Sequence, residues 1–301
     1  MERFVPGYLQ IEAGVFQRRI RTLREIASPC GLCPRRCGSL RGEGEEGYCR
    51  TGFGPFVSSV HPHHGEEAPL TGAGGSGAIF LAGCNLGCIF CQNYDISHLG
   101  GGRMITVKAL AEAMLSLQHA GCHNINFVSP SHQVHSIVEA VMLAAGAGLT
   151  VPLVYNTGSY DSAETLRLLD GIFDIYMPDL KFTDSKTALK LAGAADYPDV
   201  ARQAIREMHR QVGDLVTDER GVALRGLLVR HLVLPHDLAG SGEAFRFLAE
   251  EISVNTYLNV MGQYRPCFES AGQPGIGDSL SRSDYLNVLE LALKWGLRRL
   301  D

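Results

Sequence analysis

A loop with three closely spaced cysteines constrains this 301-residue chain more than any other feature. Cys84, Cys88 and Cys91 are spaced CxxxCxxC in a glycine-containing loop, directly after the apolar, strand-like run 78–82. A structural zinc site takes four protein ligands, whereas three thiolates leave one iron of a cubane iron–sulfur cluster without a protein ligand. The spacing therefore favours an open cluster, in which one iron is free to bind and activate a small molecule.

A zinc knuckle is the competing interpretation of the same three thiols. It requires a fourth ligand from elsewhere, for which the chain offers Cys122, Cys267 or a histidine. Isolated cysteines such as Cys122 and Cys267 are more often small buried apolar side chains than ligands. We therefore favour the iron–sulfur interpretation.

Composition and charge limit the classes of protein to which the chain can belong. The chain is 45% hydrophobic and 20% charged, with a net charge of −5 and no basic block, so no nucleic-acid groove is predicted. It has no apolar run long enough to span a membrane and no apolar signal-peptide core. Nine cysteines without an export signal indicate thiols rather than disulfides. We expect a cytoplasmic protein that does not engage a membrane.

Residues 28–77 differ from the rest of the chain. They are rich in Gly, Pro, Cys and His and have almost no periodic apolar pattern, so metal ligation is the obvious source of order. Either a structural zinc or a second iron–sulfur cluster would suit the four thiols in this stretch, Cys30, Cys33, Cys37 and Cys49. We predict a metal-binding appendage at residues 1–76, with a helix at 11–26, followed by a catalytic domain at 77–301.

From residue 77 onward, short β-rich runs alternate with amphipathic helical stretches. Strands are predicted at 78–83, 124–128, 151–156, 173–177, 227–234 and 254–262, and helices at 107–120, 132–147, 162–169, 200–212, 242–251 and 282–295. Six such units indicate a wholly parallel sheet that is too short for the eight-stranded barrel. The predicted fold class is α/β, a partial (β/α)6 TIM-like open barrel with an irregular Cys-rich appendage. A hairpin turn is predicted at 217–224.

Polar residues follow most of these strands. Because working residues lie at the carboxyl ends of parallel strands, these side chains are expected to meet the three cysteines at one mouth. The candidates are Ser129, Ser131 and His132 after the second strand, Asn156 and Thr157 after the third, Asp179 and Lys181 after the fourth, and His231 on the fifth.

The cysteine loop, with aromatic Phe90 before its last cysteine, resembles the cluster loop of the radical S-adenosylmethionine (SAM) superfamily. Four further stretches resemble the PflX-type iron–sulfur homologues of pyruvate formate-lyase activating enzyme: Gly65-Glu66-Glu67, Ser76-Gly77, Gly83-Cys84-Asn85-Leu86 and Cys91-Gln92-Asn93-Tyr94-Asp95-Ile96-Ser97. The similarity extends from about Cys30 to the C-terminal helix.

The resemblance implies a [4Fe-4S] cluster on Cys84, Cys88 and Cys91, with SAM on its open iron. Reductive cleavage of SAM would yield a 5′-deoxyadenosyl radical that abstracts hydrogen from substrate, with electrons from a flavodoxin- or ferredoxin-type donor. By the same resemblance, Asn156, Thr157, Asp179, Lys181 and His231 would contact the methionine carboxylate, ribose and adenine, and the backbone of Phe90 would contact adenine. The family's Gly-Gly-Glu step is replaced here by Ser129-Pro130-Ser131-His132, and Ser129 is one candidate for its contact with the SAM amino group.

The substrate stays open at this point. The resemblance suggests activation of a glycyl-radical enzyme of the pyruvate formate-lyase type, and the lateral opening of a six-unit barrel modestly favours a macromolecular substrate. The alternatives are radical modification of another macromolecule or a metabolite, or a non-catalytic iron–sulfur redox protein.

Overall fold

A computed structural model describes residues 4–301 and contains one ten-stranded sheet. The strands are β1 (Phe56–His63), β2 (Ser76–Leu81), β3 (Arg103–Met104), β4 (Ile125–Val128), β5 (Leu153–Thr157), β6 (Ile175–Pro178), β7 (Val216–Thr217), β8 (Ala223–Leu232), β9 (Tyr257–Met261) and β10 (Arg299–Leu300). Their spatial order is β10-β9-β8-β6-β5-β4-β2-β1-β3, with β7 paired to β8.

Within residues 4–301, ten α-helices connect and cover the strands. They are α1 (Ala13–Ile26), α2 (Ala68–Thr71), α3 (Tyr94–Ser97), α4 (Val107–His119), α5 (Val134–Gly146), α6 (Ala163–Arg167), α7 (Ser185–Ala192), α8 (Tyr197–Val212), α9 (Ser241–Phe247) and α10 (Arg282–Lys294). The side chains of Thr106, Ser162, Asp184 and Ser281 cap α4, α6, α7 and α10 by accepting backbone N–H groups. In residues 4–301 we find no helix with the length and apolarity needed to cross a bilayer.

The parallel part of the sheet matches the sequence prediction. Strands β2, β4, β5, β6, β8 and β9 are the six predicted strands, and every neighbouring pair among them is parallel. The short β10 adds a seventh parallel strand beside β9. Over residues 4–301 the two ends of the sheet, β3 and β10, do not pair with each other, so the barrel is open.

The expectation of a wholly parallel sheet was wrong, since β1 and β3 form an antiparallel edge beside β2. β1 lies in the stretch expected to be irregular because its histidines and Pro62 interrupt the alternation of apolar and polar residues. Proline is tolerated there because β3 covers only Phe56 and Val57, leaving the outer side of β1 unpaired at Pro62. The predicted hairpin is confirmed by β7 and β8, whose turn is held by Asp218.

Side chains on the parallel strands alternate between two faces. Tyr155, Tyr176 and Val229 belong to the main core beneath the helices, whereas Val154, Met177 and Leu228 form a second, inner cluster with Leu70 of α2. The inner cluster fills the lower part of the barrel. Polar residues continue the same inner face toward the carboxyl ends of the strands, which places the site above this apolar floor.

The predicted appendage shares the core of the barrel. Phe16, Ile20 and Leu23 of α1 are buried in the main cluster, and the Tyr8 hydroxyl donates to the Val151 carbonyl at 2.9 Å. Arg41, only 1% exposed, donates to the carbonyls of Gly52 and His132. The segment before β2 is therefore integrated with the barrel through burial and hydrogen bonds.

Candidate active site

The three cysteines lie in the loop after β2 and line a cavity of about 150 Å³ at the carboxyl ends of the parallel strands. Gly83 begins this loop with a positive φ of 79°, and a Cβ there would lie 2.3 Å from the Cys49 carbonyl oxygen. Both observations require glycine. The cavity brings together most of the residues predicted from separate strands: Cys84, Cys88, Cys91, Ser129, Asn156, Thr157, Asp179 and Lys181.

The thiols are set for soft-metal ligation. Burial raises the pKa of Cys84 to about 11 and that of Cys88 to about 12, although the positive charge of Lys181 opposes both shifts. Metal binding would displace the protons that burial otherwise holds on these sulfurs. Thiolates are ligands for iron–sulfur clusters and zinc, and a set of three suits the open cluster, so the residues present fit the predicted [4Fe-4S] group. Within residues 4–301 no three Cys, His, Asp or Glu side chains already stand in metal-binding geometry, so the thiols must converge to bind it.

A charged network crosses the cavity beside the thiols. Asp179 accepts from Lys181 Nζ at 2.5 Å and from Arg230 Nε at 2.7 Å. Burial alone would raise the pKa of Asp179, but these two cations hold it below its usual value. The carboxylate in turn holds the pKa of Lys181 above its usual value against burial. Both charges therefore persist at neutral pH, and the lysine is fixed in place.

Hydrogen bonds between neighbouring strands connect the remaining predicted residues. Asn156 Oδ1 accepts from Arg230 Nη2 at 2.8 Å, and the Asn156 carbonyl accepts from the Ser129 N–H at 2.8 Å. Ser129 has a positive φ of 60°, uncommon for a non-glycine residue. Thr157 donates to the buried Asp161 at 2.6 Å. These contacts align β4, β5 and β8 at the cavity wall.

Four of the predicted residues, Phe90, Ser131, His132 and His231, do not line this cavity. His231 is fully buried outside it, bonded to the Leu180 carbonyl at 2.7 Å and to Ser241 Oγ at 3.0 Å, and burial lowers its pKa to about 4. The side chain of Phe90 packs edge-on against Phe182 and Tyr264, and its carbonyl accepts from Cys267 Sγ at 3.2 Å. Strand alternation turns Arg230 rather than His231 toward the cavity, and a contact of His231 with SAM stays a prediction.

The sequence prediction selected His231 rather than its neighbour Arg230, although the alternation of β8 carried the signal. A choice between Arg230 and His231 requires knowing which face of the strand is inward. The inner-face positions Leu228 and Arg230 alternate with the outer positions Val229 and His231.

A second, larger cavity of about 720 Å³ adjoins the first. The two share the lining residues Phe80, Asn93, Val128, Asn156 and Arg230. On its far side the larger cavity is lined by Glu66 and Glu67, from the loop before α2, and by Asn259 of β9. It therefore extends from the thiols toward the gap between the two ends of the sheet.

The N-terminal thiols lie near one another. Cys30, Cys33 and Cys49 are buried and Cys37 is exposed. A Cβ on Gly47 would lie 3.2 Å from Cys37 Sγ and 3.5 Å from Cys49 Sγ, and burial with neighbouring Cys30 and Cys49 raises the pKa of Cys33 to about 12. A metal site on these four thiols stays a prediction. Through Cys49, the segment abuts the loop that begins at Gly83.

The alternative ligands for a zinc knuckle occupy different places. Cys122 lies beside Gly77, at the opposite end of β2 from Cys84. Cys267 lies against the cluster loop, where its thiol bonds to the Phe90 carbonyl. Cys122 is therefore too remote to ligate with Cys84, Cys88 and Cys91.

Comparison with known sequences identifies one domain of the chain. A family model described as the radical SAM superfamily matches residues 78–220, which include all three cysteines of the loop. The chain is also 29% identical over 294 residues to the uncharacterized protein MJ0674 of Methanocaldococcus jannaschii, an alignment that covers 95% of this chain and 81% of that protein.

Solved structures resemble the fold. HydG, a maturase of the [FeFe]-hydrogenase, superposes with a TM-score of 0.51 at 13% identity, over 75% of this chain and 50% of HydG. Methylornithine synthase (PylB) gives a TM-score of 0.48 at 17% identity, over 97% of this chain and 72% of that protein. The likeness to HydG concerns the partial barrel alone, and the finer resemblance to PflX-type homologues stays a prediction. From the family match and the thiol-lined cavity at the strand ends, residues 78–220 form a radical SAM domain, the type of domain that uses a [4Fe-4S] cluster and cleaves SAM reductively.

Proposed function

We propose that this enzyme abstracts a hydrogen atom from a glycine residue of a partner protein that enters the larger cavity. The observation that carries the proposal is the adjacency of the two cavities, which share five lining residues. When bound, the cluster and SAM supply one-electron reductive cleavage and a hydrogen-abstracting radical. The protein supplies binding, orientation and exclusion of water.

Each residue of the smaller cavity has a role in this proposal. Cys84, Cys88 and Cys91 hold the cluster in a site largely screened from solvent. Lys181, held by Asp179, presents a fixed positive charge suited to the SAM carboxylate. Asn156, held by Arg230, offers its remaining hydrogen-bonding capacity to the polar groups of SAM.

The shape of the larger cavity favours a segment of a partner protein. Its lining includes His63 of β1 and Met261 of β9, which stand near the two ends of the open sheet. A loop can enter there without unfolding the barrel. The volume also lies within the range of ordinary ligand sites, so a small metabolite is the competing substrate.

The electron route is part of the same proposal. A flavodoxin- or ferredoxin-type donor would deliver the electron, and a second iron–sulfur cluster on Cys30, Cys33, Cys37 and Cys49 would pass it inward, whereas zinc there would be structural. The Cys49 carbonyl oxygen packs against Gly83, where the cluster loop begins. This contact supports electron transfer through a second cluster, since it brings the N-terminal thiols close to those of the cluster loop.

The test uses anaerobically reconstituted protein with dithionite and SAM. We expect 5′-deoxyadenosine by chromatography and, on addition of a candidate glycyl-radical enzyme, a glycyl doublet in electron paramagnetic resonance. Deoxyadenosine without any doublet, together with deuterium transfer from a labelled small molecule, would establish the metabolite alternative instead.

A further inference from the structure

Two buried carboxylates stand in the larger cavity. The side chains of Glu66 and Glu67 are 8% and 4% exposed. Glu67 Oε1 accepts from Asn259 Nδ2 at 3.0 Å, but Glu67 Oε2 is buried without a hydrogen-bond partner among residues 4–301. A buried carboxylate oxygen left unpaired is costly, so an atom of this kind in a cavity points to a ligand.

Arg230 compensates this pair only in part. Its Nη1 lies 3.8 Å from Glu66 and 3.7 Å from Glu67, while Nε and Nη2 are engaged by Asp179 and Asn156. Because Lys181 also pairs with Asp179, two cations face three carboxylates. Burial and the adjacent Glu67 carboxylate raise the pKa of Glu66 to about 7, even though Arg230 opposes the shift.

The other lining residues do not make up the deficit. His63 could carry a positive charge when protonated. Burial and the neighbouring His61 and His64 lower its pKa, however, so it is largely neutral at pH 7. Asp301 adds further negative charge at the same cavity. Among the described lining residues, Arg230 is the sole permanent cation.

We propose that the larger cavity binds its substrate through an ammonium or guanidinium group, which pairs with Glu66 and Glu67. The proposal rests on the proposed function and specifies its substrate: the segment that enters the cavity carries a lysine or arginine side chain near the reacting residue. A cation there completes the hydrogen bonds of Glu67 Oε2 and balances the charge that Arg230 leaves uncompensated. With the cationic group bound to Glu66 and Glu67, the rest of the segment is directed toward the thiols, along the residues that line both cavities.

The test measures binding without turnover. Cluster-loaded protein with SAM and no reductant is titrated calorimetrically with the peptide acetyl-Gly-Arg-Gly-amide and with its citrulline analogue, which differs in charge but hardly in shape. Because a charge-assisted hydrogen bond contributes about 1.5–3 kcal/mol, wild type should prefer the arginine peptide by at least about tenfold. E67Q, and independently E66Q, should reduce that preference to less than about threefold by the same reasoning. E219Q, at an exposed position outside the cavity, should retain it.

The outcomes separate this inference from the proposed function. Equal binding of the two peptides by wild type, or an undiminished preference in both E66Q and E67Q, would overturn the cation site. A loss of SAM affinity in E67Q with the peptide preference intact would assign the pair to the cofactor and also overturn it. The glycyl doublet formed with a candidate glycyl-radical enzyme, assayed on the same wild-type sample, reports on the proposed function alone, and its failure would leave a measured arginine preference standing.

Discussion

The chain carries two groups of thiols that have the same chemistry but are held in place by different parts of the structure. Cys84, Cys88 and Cys91 sit at the ends of parallel strands, in a cavity whose Lys181, Asp179 and Arg230 come from neighbouring strands. The thiols from Cys30 to Cys49 sit in an irregular segment held by side chains such as Arg41. The sheet organises a reactive centre in the first region, whereas the second is held by burial and a few hydrogen bonds, and its metal stays a prediction.

The largest effect is expected from C88A in the loop after β2. Loss of one of three ligands should abolish the core cluster and lower reductive SAM cleavage by at least about three orders of magnitude, a barrier increase of about 4 kcal/mol. Iron content and deoxyadenosine formation measure it. C122A, at the far end of β2, should keep both, and cleavage that persists in C88A would contradict the catalytic role of this loop.

The second-largest effect is expected from removing the positive charge of Lys181 beside the thiols. K181A eliminates an ammonium held by Asp179, and loss of one charge-assisted hydrogen bond should weaken SAM binding by about 10- to 100-fold. Equilibrium binding of SAM to the oxidised protein measures this effect. The exposed Lys186 supplies the control K186A, and an equal affinity in both variants would remove Lys181 from the site.

Replacing Arg41 tests how the segment from Cys30 to Cys49 is held in place. R41M leaves the carbonyls of Gly52 and His132 and the hydroxyl of Thr51 without this donor, so the free energy of unfolding should fall by about 2–4 kcal/mol. Urea denaturation measures the loss. The exposed pair Arg36–Glu164 offers R36M, for which about 0.5 kcal/mol or less is expected. Similar values for the two variants would show that Arg41 does not anchor the segment.

His132 and His135 join the two regions and make their stability acid-sensitive. His132 donates to the Ala82 carbonyl before the cluster loop, and its own carbonyl accepts from Arg41. Burial lowers the pKa of His132 to about 4 and that of His135 to about 3, from an unfolded value near 6.5. The unfolded state therefore binds more protons below pH 6.5, and stability should fall as the pH decreases toward 4.

H135Q separates this contribution from other acid effects. The variant removes one titrating group, so between pH 6 and 5 it should lose less stability than wild type, by about 1 kcal/mol. Urea midpoints at the two pH values measure it, with H119Q on the surface end of α4 as the control. Identical pH slopes in H135Q and wild type would mean that His135 is not held neutral by burial.

Much of the reactive region was predictable because its information is local. The cysteine spacing, the strand before it and the polar residues after each later strand all lie in short windows, and parallel strands bring their carboxyl ends together by construction. Cys84, Asn156, Thr157, Asp179 and Lys181 therefore reached one cavity as expected. The antiparallel β1 escaped prediction because its pairing with β2, rather than its own pattern, makes it a strand.

The sequence by itself determined the open iron–sulfur loop, the six parallel strands and the ring of polar residues at their ends. Tertiary structure alone decided that Arg230 faces inward while His231 is buried behind the sheet, and that Glu67 meets Asn259 across 192 residues of chain. Which face of a strand is inward depends on register against its neighbours, and contacts between distant residues depend on how the sheet curves. Those two properties belong to the assembled barrel, so the charge balance of the larger cavity becomes visible only there.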